Sequence, residues 1–143
     1  MILFLSGLAF RLEAGGWRDE RGNRFKMRDH TKLRAFELAD NAAIEIYMAT
    51  ITFPREEQFG LTSQMRRAAV SVASNIVEGC GRQSKADYIR FLDMAYGSAR
   101  ELEYQVSLAH RLGYLSIEKH EKLQRACVET SKVINGLIRA LRR

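Results

Sequence analysis

Seven residues, Tyr88, Leu92, Ala95, Ala99, Leu102, Val106 and Ala109, recur at alternating steps of four and three without a break. Only a helix of 3.6 residues per turn gathers all seven on one side, and a helix of about six turns carrying such a stripe must bury it. After a break at residues 113–116, His120, Leu123, Cys127, Thr130, Ile134, Leu137 and Leu141 repeat the pattern. Two sustained stripes predict near-antiparallel packing at about 20° rather than the steeper crossings of globin-like folds.

Two further helices precede these. Pro54 is the only proline, and with Phe53 it ends a first helix over residues 31–51, because the residue before a proline is pushed out of helical geometry. Phe36, Ala39, Ala43, Ile46 and Thr50 are expected to face inward there. A second helix is predicted over residues 62–78, with Leu61 as a staple, Met65, Ala68, Val72 and Ile76 inward, and Gly79 and Gly81 as its stop. Ser84, with Asp87 three residues on, has the spacing of a capping box opening the third helix, and Ser116 precedes the fourth. Connectors at 58–60, 79–83 and 113–116 are too short for a crossover, so consecutive helices fold back on each other. The expected fold is all-α, an up-down-up-down four-helix bundle over residues 28–143. Ala68, Ala69, Ser71, Ala73 and Ser74 would let other helices approach the second helix on more than one side.

Residues 1–27 read differently. A short apolar run, Gly15-Gly16 and a charged stretch with Gly22-Asn23 show no sustained period, which predicts a flexible extension. A functional chain could start at Met27. The whole sequence is large enough to bury roughly two-thirds of its unfolded surface in one core. No apolar run approaches the roughly 20 residues that span a bilayer, and no basic segment precedes the opening apolar run as in a signal peptide. Cys80 and Cys127 fall in different elements without a C-x-x-C, so neither a disulfide framework nor a zinc knuckle is indicated. A cytoplasmic location and no cofactor are expected.

The formal net charge of +6 favours anionic partners without identifying one. Lys122, Arg125, Lys132, Arg139 and Arg143 fall opposite the apolar stripe of the fourth helix, interrupted by Glu129. They form either a solvated outer face or a phosphate-contacting ridge. Arg66, Arg67, Arg82 and Lys85 cluster around the second helix and the turn after it, where Gly79-Cys80-Gly81-Arg82 meets a helix N-terminus and could hold an anion. Neither a phosphate-binding loop of the G-x-x-x-x-G-K-[ST] type nor a dinucleotide fingerprint is present.

Asn75 with Glu78, and Glu101 with Glu103, could serve acid–base chemistry or a metal, but the Glu-x-x-His ligands of bundle metal sites are missing. Pairing of Asn75 and Glu78 with Arg66, Arg67 or turn backbone is expected instead. His30, His110 and His120 have no ligand spacing, and neither cysteine has the partners of a nucleophile. No enzyme is expected.

Several blocks carry a resemblance: Phe53-Pro54 with Glu57, the run from Gly60 to Ala68, the run from Ser74 to Gly79, and Tyr88 with Arg90-Phe91-Leu92. Gly97-Ser98-Ala99, Glu101-Leu102-Glu103 and Leu112-Gly113-Tyr114-Leu115 continue it. In these the chain resembles the bacterial four-helix-bundle proteins called 23S rRNA intervening-sequence proteins. The resemblance implies assembly into a ring, a homopentamer, and kinship with the accessory variability determinant protein of diversity-generating retroelements, which binds nucleic acid and a reverse transcriptase. It implies no known activity. The expected function is a non-enzymatic oligomer that binds RNA or DNA through basic surfaces. The alternative is a structural or adaptor oligomer whose partner is a protein such as a reverse transcriptase.

Overall fold

A computed structural model of the protein describes residues 1–5, 8–14, 16–22 and 28–143. Four long helices dominate it: α1 (Arg34–Thr50), α2 (Leu61–Cys80), α3 (Lys85–Arg111) and α4 (Ile117–Arg142). Each packs on its sequence neighbours, and α1 closes the square against α4, as short connectors require. No helix among the described residues is long and apolar enough to cross a membrane.

Helix ends follow their local chemistry. The Ser84 hydroxyl accepts from the Asp87 N–H at 3.0 Å, and the Ser116 hydroxyl from the Lys119 N–H at 3.3 Å. Gly113 takes a left-handed φ of 80° after α3, letting the Tyr114 N–H reach back to the Ala109 carbonyl at 2.9 Å. Before α1 the chain makes a 3-10 turn, His30–Lys32, so α1 starts later than the periodicity suggests. Asp29 caps that turn, accepting from both the N–H and the hydroxyl of Thr31.

The α3 stripe is buried throughout, and so are the four inward residues expected on α2. On α1 the buried set is Ala35, Ala39, Ala42, Ile46 and Thr50, which leaves Phe36 and Ala43 half-buried at the rim. Small alanines draw α1 in and turn the larger ring aside. On α4, Ser131 and Ile138 are buried, whereas His120, Leu137 and Leu141 are half-buried. The apolar interior forms two clusters, one around Met65, Leu102 and Val106 and the other around Ile76, Leu92 and Ile134. Between them Ala39, Ala42, Ala69, Ala99, Cys127 and Thr130 are among the residues lining a void of about 10 Å³, no more than one water could fill.

Of the two glycines expected to stop α2, one does different work. α2 continues through Gly79 to Cys80, and Gly81 caps it. Gly79 is buried, and a Cβ there would stand 2.9 Å from the Phe91 Cβ and 3.2 Å from the Tyr88 ring. It is a close-approach position between α2 and α3 rather than a helix stop. About two turns lower on the same seam the hydroxyls of Ser71 and Ser98 meet at 2.9 Å.

The N-terminal segment also differs. Its described residues form a three-stranded antiparallel sheet: β1 (Ile2–Leu5), β2 (Leu8–Glu13) and β3 (Gly16–Asp19). The register places Ile2 opposite Arg11, Phe4 opposite Ala9, and Leu12 opposite Trp17. Strands this short carry too few residues for a period to stand out, and cross-strand neighbours decide them instead. The fold is therefore four helices with a small sheet rather than purely helical. Among the described residues the sheet touches none of the helices. Gly15, Asn23 and the suggested start at Met27 lie outside the described residues.

Replacing Gly79 with alanine should destabilise the bundle by about 1–2 kcal/mol, because overpacking against Phe91 exceeds the gain in helix propensity. Chemical denaturation checks this, with Gly97→Ala, at an exposed helical glycine with open space around it, expected to stabilise instead.

Candidate nucleic-acid interface

The outer side of α4 follows from its sequence: with Leu123, Cys127, Ile134 and Ile138 inward, the residues half a turn away point to solvent. Arg125, Lys132, Arg139 and Arg143 are all exposed there. None of the four has an ion pair or hydrogen bond among the described residues. Neighbouring cations are engaged: Arg34 holds Glu129 at 3.0 Å, Arg142 holds Asp93 at 2.6 Å, and Lys122 lies 3.8 Å from Glu45. Glu129, which interrupts the basic run in sequence, is thus neutralised from α1, and Lys122 belongs to the α1–α4 seam rather than to the free ridge.

The second expected group is not gathered into one site. Arg66 donates to the Thr50 hydroxyl at 2.9 Å and stacks over Tyr47 at 4.7 Å, tying α2 to α1. Arg82 pairs with Glu78 at 2.7 Å and lies over the Phe91 ring at 4.5 Å. Arg67 and Lys85 are exposed, with no partner among the described residues. Arg28, absent from the sequence reading, donates to the Arg82 carbonyl at 2.9 Å and covers Tyr88 at 4.2 Å. Arginine planes here cover aromatic rings and fix the turn.

The polar pairs resolve locally. Asn75 donates to the Ser71 carbonyl at 2.9 Å and Glu78 takes Arg82, so neither meets Arg66 or Arg67. Glu101 accepts from Gln105 within α3, and Glu103 accepts from the Ser131 hydroxyl across to α4. His110 and His120 stack with centroids 4.3 Å apart, and a His110 ring nitrogen lies 3.1 Å from the Leu115 carbonyl. Among the described residues no group of three or more His, Cys, Asp or Glu converges.

Both thiols are buried. Burial, reinforced by the carboxylates of Glu103 and Glu45, pushes Cys127 from its ordinary 9.0 up to about 12. Burial raises Cys80 as well, partly offset by its hydrogen bond with Tyr88. Tyr88 itself is pushed from 10.0 up to about 12, chiefly by burial and then by Cys80. These are protonated core groups.

Sequence reasoning places Glu57 in a family block but assigns it no role, because that role depends on tertiary contact. One carboxylate oxygen accepts from the Leu61 N–H at 2.8 Å and the other from the Tyr114 hydroxyl at 3.2 Å. The Phe53 and Tyr114 rings pack at 5.4 Å beside it. The blocks around Phe53, Glu57, Gly60-Leu61 and Leu112-Gly113-Tyr114-Leu115 thus form one assembly joining the α1–α2 and α3–α4 connectors.

The family described as 23S rRNA-intervening sequence protein matches residues 31–136. The chain belongs to that family. Among solved structures, the chain is similar to a crystal structure of a protein with unknown function from the S23 ribosomal protein family of Bacteroides thetaiotaomicron. The two share 26% identity with a TM-score of 0.68, over 73% of this chain and 95% of that one. No curated protein matches. The family match ends within α4 at Gly136, so it takes in Arg125 and Lys132 but not Arg139 or Arg143.

The buried thiol and phenol give a pH dependence with a definite sign. Both hold their protons more tightly in the fold than in the unfolded chain, so their contribution is complete below about pH 9 and is lost as pH climbs toward about 12. Stability should fall above about pH 9, by up to about 1.4 kcal/mol per pH unit for each proton involved. Urea midpoints at about pH 8 and about pH 10.5 check this, with Cys127→Ala expected to show the smaller drop.

Proposed function

We propose that this family member is a non-enzymatic, oligomeric helical-bundle protein that binds nucleic acid through the outer face of α4. The observation that carries the reading is the set Arg125, Lys132 and Arg139, exposed at seven-residue spacing and without ion pairs among the described residues, while Arg34, Arg82, Lys122 and Arg142 all have them. A solvated face would serve equally well with its cations paired or dispersed. Three unpaired cations in line, about 10.5 Å apart along the axis, suit a polyanion. The nucleic acid is bound through its phosphates and without base readout, since the ridge carries no recognition module.

Assembly belongs to the same proposal. A groove between α1 and α2 is lined by Phe36, Ala43, Val70, Ala73 and Val77, with Asp40 and Glu78 at its margins. Ile44 and Met48 extend the exposed apolar surface along α1 at 58% and 65% exposure. Ala69, by contrast, is core, so the outward small side of α2 is Ala73 and Ser74. A second copy of the chain covers this face in a ring, a homopentamer, which repeats the α4 ridge and multiplies its charge. The adaptor reading, with a protein such as a reverse transcriptase as partner, draws on the same groove. Two buried free thiols suit a reducing cytoplasm.

Fluorescence anisotropy with labelled RNA and DNA across a salt series tests the binding. Replacing Arg125, Lys132 and Arg139 together by glutamine should lower the slope of log K against log salt by about 2–3, at 0.7–0.9 per phosphate. An unchanged slope supports the adaptor reading, and no binding at low salt ends the nucleic-acid reading. Light scattering coupled to gel filtration tests assembly: the intact protein should run as an oligomer and Val70→Asp as a smaller species. A monomer at micromolar concentration for the unmutated chain removes the ring.

A further inference from the structure

Gly136 is out of place in α4. It lies on the exposed side, opposite Ile134 and Ile138, and among the described residues nothing stands within 4 Å of where its Cβ would be. Glycine inside a helix weakens it, and usually has a packing reason when it persists. Gly79 has such a reason in Phe91 and Tyr88; Gly136 has none among the described residues. Its neighbours one turn to either side on the same face are Lys132 and Arg139, with Arg143 a turn beyond. All three are exposed and without ion pairs among the described residues. Two long cationic arms therefore flank a patch of bare helix backbone.

We propose that this saddle seats one phosphodiester strand of a nucleic-acid duplex, with Gly136 at the point of closest approach and Lys132 and Arg139 on flanking phosphates. The inference rests on the nucleic-acid reading of α4 and goes beyond it by naming the strand-crossing point and the duplex. Charge complementarity selects the occupant: a second copy of this basic ridge would be repelled. The missing side chain brings the sugar-phosphate strand against the helix surface, within reach of both arms at once.

The duplex follows from what α4 lacks. Between Ile117 and Arg142 there is no Phe, Tyr or Trp. Proteins that hold single strands draw much of their affinity from bases stacked on aromatic rings. A duplex keeps its bases stacked internally and presents phosphates, which are all this face can grip. Gly97 supplies the internal control. It too is an exposed helical glycine with open space around it, but one turn away stand Asp93, which holds Arg142, and Glu101.

The test uses the full chain with labelled RNA and DNA duplexes and single strands of equal length, read by anisotropy, with thermal unfolding and light scattering on every variant. Gly136→Leu should weaken duplex binding by about tenfold or more, while Gly97→Leu stays within about twofold of the unmutated protein. Gly136→Ala should raise the unfolding midpoint and still lose affinity, so that the loss cannot be ascribed to misfolding. Equal affinities for Gly136→Leu and Gly97→Leu, or single strands bound more tightly than duplexes, overturn the saddle. The broader reading then still stands if replacing Arg125, Lys132 and Arg139 lowers the salt slope by about 2–3. A Gly136→Leu variant changed in mass but not in duplex affinity assigns the glycine to a subunit contact and also overturns it. No binding by the unmutated protein overturns both readings.

Discussion

The close approach of α2 and α3 sets the geometry of everything else. Gly79 admits Phe91 and Tyr88 where a single methyl would collide, and the Ser71 and Ser98 hydroxyls meet on the same seam. Once those helices are this near, the space left for α1 and α4 is narrow at mid-height, which is why Ala39, Ala42, Ala69, Ala99 and Cys127 meet there. Larger side chains are divided between two clusters above and below that waist. The near absence of a void at the waist shows that small residues there match the helix spacing rather than leave it unfilled.

The ends of the bundle are held by different means. At the end bearing Glu57, one carboxylate joins two connectors by capping α2 and receiving the Tyr114 hydroxyl, and the Phe53 ring packs on Tyr114 beside it. Gly60 belongs to the same device, since a Cβ there would stand 2.6 Å from the Glu57 carboxylate. At the other end the arginines dominate. Arg28, Arg82 and Arg90 lie over Tyr88 and Phe91, and the Arg28 N–H reaches the Cys80 carbonyl. Of the cations that sequence alone offers as an anion site, Arg82 is committed to the α2–α3 turn and Arg66 to the α1–α2 contact, while Arg67 and Lys85 stay exposed.

What could be seen in the sequence and what could not divides along physical lines. The α3 stripe was legible in full because a long helix buried on one side repeats its signal seven times. The serine caps were legible because their partners lie three residues away. On α1, Ala39, Ile46 and Thr50 face inward as expected but Ala35 and Ala42 replace Phe36 and Ala43, since a run rich in alanine offers several faces of similar apolarity and only the packed neighbours choose among them. The role of Glu57 with Tyr114 spans 57 residues and leaves no local trace. Gly79 read as a helix stop because glycine serves both purposes, and only the position of Phe91 distinguishes them. The basic residues were all visible, but which of them are free was not: that depends on Glu45, Glu78, Asp93 and Glu129 arriving from elsewhere in the fold or from a turn away.

The arrangement of the four helices also keeps two kinds of surface apart. α2 packs on α1 and α3 but not on α4, so α2 and α4 stand at diagonal corners of the square. The apolar groove opens between α1 and α2, and the unpaired cations lie along the outer side of α4. Apolar contact requires close, dehydrated packing, whereas phosphate contact requires long cationic arms free in water. One helix face could not meet both demands. Placing them at opposite corners lets the first surface be covered without desolvating or pairing the second. Two acidic residues, Asp40 and Glu78, border the groove, while Glu129 on α4 is held by Arg34.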